Sequence, residues 1–216
     1  MSQDLVESNK GKFIAFEGID GSGKSTQVAL LAERLKKEGI PCYQTMEPTD
    51  SLIGSLIHQI MIGRVEADNR VIAGLFVADR LDHLLNKVDG IVSKIDAGTT
   101  VITDRYCFSS YAYQGVDMPM EWVIKANEQS CEILRPALTI FIDISPDTAM
   151  ERITKNRSHQ ELFEKKSRLE QVRANYMQAF RLLEEEENVV IIDGNQPPEE
   201  IAEEVWETVR EYVISC

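Results

Sequence analysis

The chain has 216 residues, 36 of them acidic and 23 basic, for a formal net charge of −13. That surplus repels nucleic acid and anionic lipid, so neither is an expected partner. A hydrophobic content of 43% can bury one good core, and no stretch is long and apolar enough to cross a bilayer. Cys42, Cys107, Cys131 and Cys216 form no C-x-x-C pair, and His58, His83 and His159 lie far apart. This reads as reduced thiols in a cytoplasmic protein without a zinc site. Residues 1–12 carry no apolar or basic targeting run, so residues 1–11 are expected to be a frayed tail before a single domain over 12–216.

Phe13 to Phe16 is a short apolar strand, and from Gln27 a helix presents Val28, Leu31, Ala32 and Leu35 on one face. Between them runs Gly18, four residues, then Gly23, Lys24 and Ser25, the G-x-x-x-x-G-K-S pattern of a phosphate cradle in its required strand–loop–helix setting. Glycines 18, 21 and 23 allow successive N–H groups to converge on one anion at a helix N-terminus. Gly18, Gly21, Ser22, Gly23 and Thr26 are therefore expected to bind phosphate. Lys24 is expected to reach the β- and γ-phosphates, and Ser25 to hold Mg²⁺. A second strand, Cys42 to Met46, leads into a turn fixed by Pro48. Leu52, Ile53, Leu56, Ile57, Ile60 and Met61 make a helix face. A longer helical stripe runs from Val71 through Leu85 and Val88 to Ile95, ended by Gly98.

Thr100 to Thr103 is the next buried strand and runs into Asp104, Arg105 and Tyr106. A helix bearing Trp122, Ile124 and Ile133 follows Pro119, Leu138 to Ile144 is a strand, and Pro146 opens another helix. A basic, irregular piece from Arg152 to Glu164 precedes a charged helix over about 165–187, whose Glu184 to Glu187 run reads as a solvated end. Val189 to Ile192 is the fifth strand, and Pro197 and Pro198 start a last helix. Five strands alternating with helices predict an α/β fold, a parallel sheet with helices on both faces, with ligands at the carboxyl ends of its strands.

A phosphate loop alone admits kinases, GTPase switches and other ATPases. Asn86 to Asp89 spells the guanine-reading N-K-x-D of small GTPases, but it is expected to lie inside a continuous helix rather than in a loop after a strand. Asp104, ending a strand, sits where a carboxylate organises Mg²⁺ or its waters. Arg105 emerges at the ligand edge, where its fork suits a second phosphate; a structural Asp104–Arg105 ion pair is the alternative.

The residues from Phe16 to Thr26, then Glu47-Pro48, Leu75-Phe76 with Arg80, Asp104-Arg105-Tyr106 with Ser109, Ser110, Tyr113 and Gln114, and finally Ile192 to Pro197, resemble thymidylate kinases over about residues 12–213. The resemblance implies the nucleoside monophosphate kinase type of P-loop fold and transfer of the γ-phosphoryl of ATP to dTMP, with Mg²⁺, in a homodimer. By position, Asp20 and Arg105 would meet the acceptor's sugar and phosphate, and Glu47 and Pro48 would border its pocket. Phe76 would stack on thymine, Arg80 would bond its O4, Ser110 and Gln114 would address the polar edge, Ser109 would line the same site, and Tyr113 would crowd a 2′-hydroxyl. Arg152, Lys155 and Arg157 resemble a lid over ATP, at about 152–164. The corresponding place for a loop arginine is Gly21, so Arg157 or Lys155 would supply the transition-state cation. Asn195 and Gln196 would line the adenine pocket. Where bacterial members usually carry an arginine before Glu-Pro, this chain has Met46, so Arg105 would do more. The rival readings are a kinase of another nucleotide or deoxynucleoside, and an ATP-binding regulatory module without transfer.

Overall fold

The protein is described from a computed structural model covering residues 10–153 and 159–211, with the backbone alone for 159–164. Strands β1 (Phe13–Glu17), β2 (Cys42–Met46), β3 (Thr100–Asp104), β4 (Leu138–Asp143) and β5 (Val189–Asp193) form one sheet in the order β2-β3-β1-β4-β5. Every pairing is parallel. The helices are α1 (Lys24–Lys37), α2 (Leu52–Met61), α3 (Asn69–Leu85), α4 (Ile91–Asp96), α5 (Cys107–Tyr113), α6 (Met120–Ile133), α7 (Pro146–Ile153), α8 (His159–Leu182) and α9 (Pro198–Val209).

The pleat sorts the core into two layers. Ile14, Phe16, Ile102, Ile140 and Ile142 pack under α1 and α9, while Phe13, Ala15, Val101 and Phe141 face α5, α6 and α8. All five residues of β1 are buried, as a central parallel strand covered on both faces requires. Register then places Phe16 beside Asp104 of β3, and Glu17 beside Phe141 of β4. The chain leaves β1 toward one edge and returns to the other through β4, so the crevice beside β1 is the sheet's switch point.

Several expectations need correction. The long stripe from Val71 to Ile95 is two helices: Asn86 accepts the Val88 N–H at 2.9 Å in an intervening turn, and Val88 is 91% exposed. The N-K-x-D stretch therefore lies in a turn after a helix, with Asn86 bonded locally to Asp82 and Val88. Residues 107–113 form a helix that their mixed Ser, Tyr and Cys pattern hid. In α6 the buried face is Met120, Val123, Asn127 and Cys131, with Trp122 and Ile133 turned outward. The charged helix begins at His159 and ends at Leu182. The glutamates beyond it are not merely solvated, since Arg135 pairs with Glu186 at 2.7 Å and with Glu187. At the other end Gly11 donates to Ile95 at 2.8 Å and Lys10 pairs with Asp96, so the chain is anchored before residue 12.

Candidate active site

The phosphate loop is shaped by residues that only glycine can replace. At Gly18 the φ is 150°, and a Cβ would stand 2.6 Å from Ser22 Oγ and 2.7 Å from the Ile142 carbonyl, which is main chain and cannot yield. Gly23 caps α1 in the left-handed region with φ 98°. Inside the curve, Lys24 is 6% exposed and its ammonium donates to the Ile19 carbonyl at 3.3 Å. Burial, reinforced by the nearby Arg105 charge, lowers its pKa to about 8. Ser22 Oγ is buried with no partner among the described residues. Ser25 Oγ donates to Asp104 Oδ2, while Asp104 Oδ1 is buried with none. A carboxylate and a hydroxyl in contact, with one oxygen unsatisfied, form the hard-oxygen donor set that Mg²⁺ takes alongside phosphate and water.

Arg105 sits at φ 77°, the one left-handed non-glycine residue among those described, held there as its N–H donates to Phe16 at 2.9 Å. Such strain costs on the order of 1 to 3 kcal/mol and turns the side chain back over the loop. Its partner is Asp20, at 2.7 Å, so neither the Asp104–Arg105 pair nor a free fork is what folds. The same guanidinium donates to Ser109 Oγ at 3.0 Å and to Tyr113 OH at 3.2 Å, and lies over the Tyr113 ring. Tyr113 OH also accepts the Asp20 N–H at 3.1 Å, and burial pushes its pKa up to about 12.

Asp20, Glu47, Pro48, Phe76 and Arg80, with Arg105, Ser109, Ser110, Tyr113 and Gln114, all line one cleft of about 430 Å³. These are the ten residues that the resemblance implied for the acceptor. Phe76 is half-buried on the wall with Ile60, Met61 and Ile72, rather than in the core. Gln114 Oε1 is buried with no partner among the described residues. Arg80 differs from expectation, because its fork is already engaged. It donates through Nε to Glu47 at 2.8 Å, through Nη1 to Ser110 Oγ at 3.1 Å and to Asn127, and through Nη2 to the Tyr106 carbonyl at 3.0 Å. Any bond to a base oxygen would have to replace one of these. His83 Nδ1 lies 3.2 Å from the other Glu47 oxygen and its Nε2 lies 2.6 Å from Thr45 Oγ1, continuing the buried network. After Glu47-Pro48, Asp79 takes the Thr49 N–H and hydroxyl at 2.8 and 2.6 Å and the Ser51 hydroxyl at 3.0 Å.

Sequence reasoning missed Glu17, Tyr176, Asn127 and the cleft-facing residues of α8. Glu17 is fully buried, accepts the Tyr106 and Ser109 N–H groups, the Ser109 hydroxyl at 2.6 Å and the Tyr176 hydroxyl at 2.8 Å, and burial pushes its carboxyl up. Leu169 and Val172, with Lys165 and Arg168, close the cleft; the spacing 165, 169, 172, 176 was a legible signal for one helix face. Arg152, at the end of α7, donates to the Gly21 and Ser22 carbonyls at 3.3 and 3.4 Å and to Gly194 at 2.9 Å. Asn195, next along, is within 3.3 Å of Thr148, and Gln196 follows on the same edge. Lys155 and Arg157 lie outside the described residues. No helix among the described residues is long and apolar enough to cross a membrane.

The model of the thymidylate kinase family matches residues 16–205. The chain is 34% identical to the thymidylate kinase of Leptospira borgpetersenii serovar Hardjo-bovis, over 94% of this chain and 95% of that protein. It is 37% identical to the probable thymidylate kinase of Methanocaldococcus jannaschii, over 89% and 93%. It is 39% identical to that of Pyrobaculum calidifontis, over 94% and 98%. A phosphate loop beside a second cleft at the ends of β1 and β3, together with these matches over nearly the whole chain, places the protein in the thymidylate kinase family of phosphotransferases.

Proposed function

We propose that this chain transfers the γ-phosphoryl of ATP to dTMP, giving dTDP and ADP, and that it works with Mg²⁺, as a homodimer, in the cytoplasm. The observation that carries the reading is the cleft beside the phosphate loop in which those ten residues meet, because transfer to a bound acceptor needs two sites facing one another. A regulatory module that only binds ATP needs no such cleft.

A phosphate oxygen of the acceptor forms a bond to the γ-phosphorus as the bond to the bridging β-oxygen breaks. The loop N–H groups and Lys24 hold the donor's β- and γ-phosphates, and the lysine, already desolvated, neutralises charge on the migrating group. Ser25 and Asp104 would hold Mg²⁺, which when bound supplies further charge neutralisation between the phosphates. Arg105 orients the acceptor's phosphate while Asp20 orients Arg105. Phe76 stacks on the base, Gln114 offers its free oxygen to a base N–H, and the anchored Tyr113 ring narrows the floor under the sugar. Arg80 acts chiefly by fixing Glu47 and Ser110. Arg152, Asn195 and Gln196 border ATP, and the remaining transition-state cation comes from Lys155 or Arg157.

A coupled ADP-release assay over a panel of nucleotides and nucleosides tests this. dTMP should give the highest kcat/KM, and faster turnover of thymidine or AMP would overturn the assignment.

A further inference from the structure

Four cationic side chains line the acceptor cleft: Arg80, Arg105, Lys165 and Arg168. Three are neutralised by the protein itself. Arg80 pairs with Glu47, Arg105 with Asp20 and Arg168 with Asp117, each at 2.7 Å. Lys165 has no anionic partner among the described residues, and Met46, just before Glu47, brings no charge. A nucleoside monophosphate carries about −1.5 to −2 charges at neutral pH. A cleft whose arginines are all paired leaves that charge uncompensated when water is excluded.

The placement of Lys165 answers this. It lies one turn before Leu169 on the face of α8 that continues through Val172 to Tyr176, and Tyr176 in turn meets Glu17 and Ser109 beside Arg105. Leu169 and Val172 are buried against the cleft, and the same face brings the half-buried Lys165 into its lining. A flexible stem with three donors suits a phosphate that must first enter and then leave.

We infer that Lys165 is the second cation for the acceptor's phosphate, acting with Arg105; this rests on the reading of the cleft as a nucleoside monophosphate site. The test is calorimetric binding of dTMP and of thymidine to the parent and to Lys165→Gln, with KM for ATP measured alongside. Lys165→Gln should weaken dTMP by about tenfold or more, the size of a charge-assisted contact, and leave thymidine binding and the KM for ATP within about twofold. Lys165→Arg should keep the preference for the monophosphate. Equal loss for dTMP and thymidine would make Lys165 a shaping residue and overturn the inference. So would an unchanged preference for dTMP, or a change confined to ATP. A parent protein that binds dTMP no better than thymidine would sink the proposed function and this inference with it.

Discussion

On the phosphate-loop side, buried polar atoms stand without partners. Among the described residues Ser22 Oγ and Asp104 Oδ1 have none, and the Lys24 ammonium reaches only the Ile19 carbonyl. Across the crevice the balance is reversed, although Gln114 Oε1 has no partner among the described residues: Arg80, Glu47, Ser110 and Asn127 satisfy one another in a buried network, extended by the part-buried His83, before any ligand arrives. Each unpaired buried group costs about 1 to 3 kcal/mol, and that cost is relieved when phosphate and metal bind. The donor half is thus poised by what it lacks, and the acceptor half by what it has already satisfied. Binding free energy on the donor side goes into completing bonds, whereas on the acceptor side the buried network contributes shape, and new bonds are left to the Arg105, Lys165 and Gln114 groups outside it.

The largest expected effect breaks the donor half. Lys24→Ala should lower kcat by about 10³- to 10⁵-fold, because it removes the buried ammonium that neutralises the migrating group, while the fold is left intact or slightly more stable. Full activity in that variant would mean the loop does not hold the reacting phosphates.

Arg80→Ala should do the reverse, acting on the fold. It leaves Glu47, with a side chain 2% exposed, without its cation, at a cost of about 3 to 5 kcal/mol and about 10 °C in Tm. Arg80→Lys should not rescue it, since three donors cannot replace the planar fork. A thermal melt within about 2 °C of the parent would show that the network is not prearranged.

A pH series sharpens the contrast. With the Lys24 pKa lowered from 10.5 to about 8, the unfolded chain binds more protons than the folded one between those values, so ligand-free stability should rise with pH across that window. Relative to Lys24→Met the rise should total about 3 kcal/mol by pH 10.5, and ATP affinity should fall above about pH 8 as the ammonium is lost. A flat difference between the two proteins in denaturant titrations would mean that the lysine is not desolvated before ATP binds.

The smallest effect belongs to the wall of the acceptor cleft outside the network. Phe76→Ala should weaken dTMP binding by about 1 to 3 kcal/mol, the value of one stacked base, with little change in Tm because the ring is half-exposed. Equal weakening of ATP would show that the ring serves both sites.

How legible each half was follows the same divide. The phosphate loop could be read from ten adjacent residues, because its geometry is made by its own backbone and its glycines tolerate no other side chain. The ten acceptor residues were gathered by resemblance, and the cleft unites them. Their bonds were not legible. That Arg80 faces Asn127, 47 positions on, and that Arg105 turns to Asp20 rather than to its neighbour Asp104, depends on which helices meet. The N-K-x-D stretch was excluded by a helix that in fact stops at Leu85, since apolar periodicity does not register a turn whose partner is an Asn side chain.

The sequence by itself determined the five-stranded parallel sheet, the phosphate loop at the end of β1 and the helix behind it, because strand burial, glycine φ and helix periodicity are short-range properties. Only the tertiary structure decided which charges are free. Arg80 and Arg105 read as ligand-seeking forks and fold as paired ones, while Lys165 reads as one cation in a charged helix and lies at the cleft with no anionic partner among the described residues. Charge compensation depends on distances across elements remote in the chain, and a side chain's availability is what remains after those distances are set.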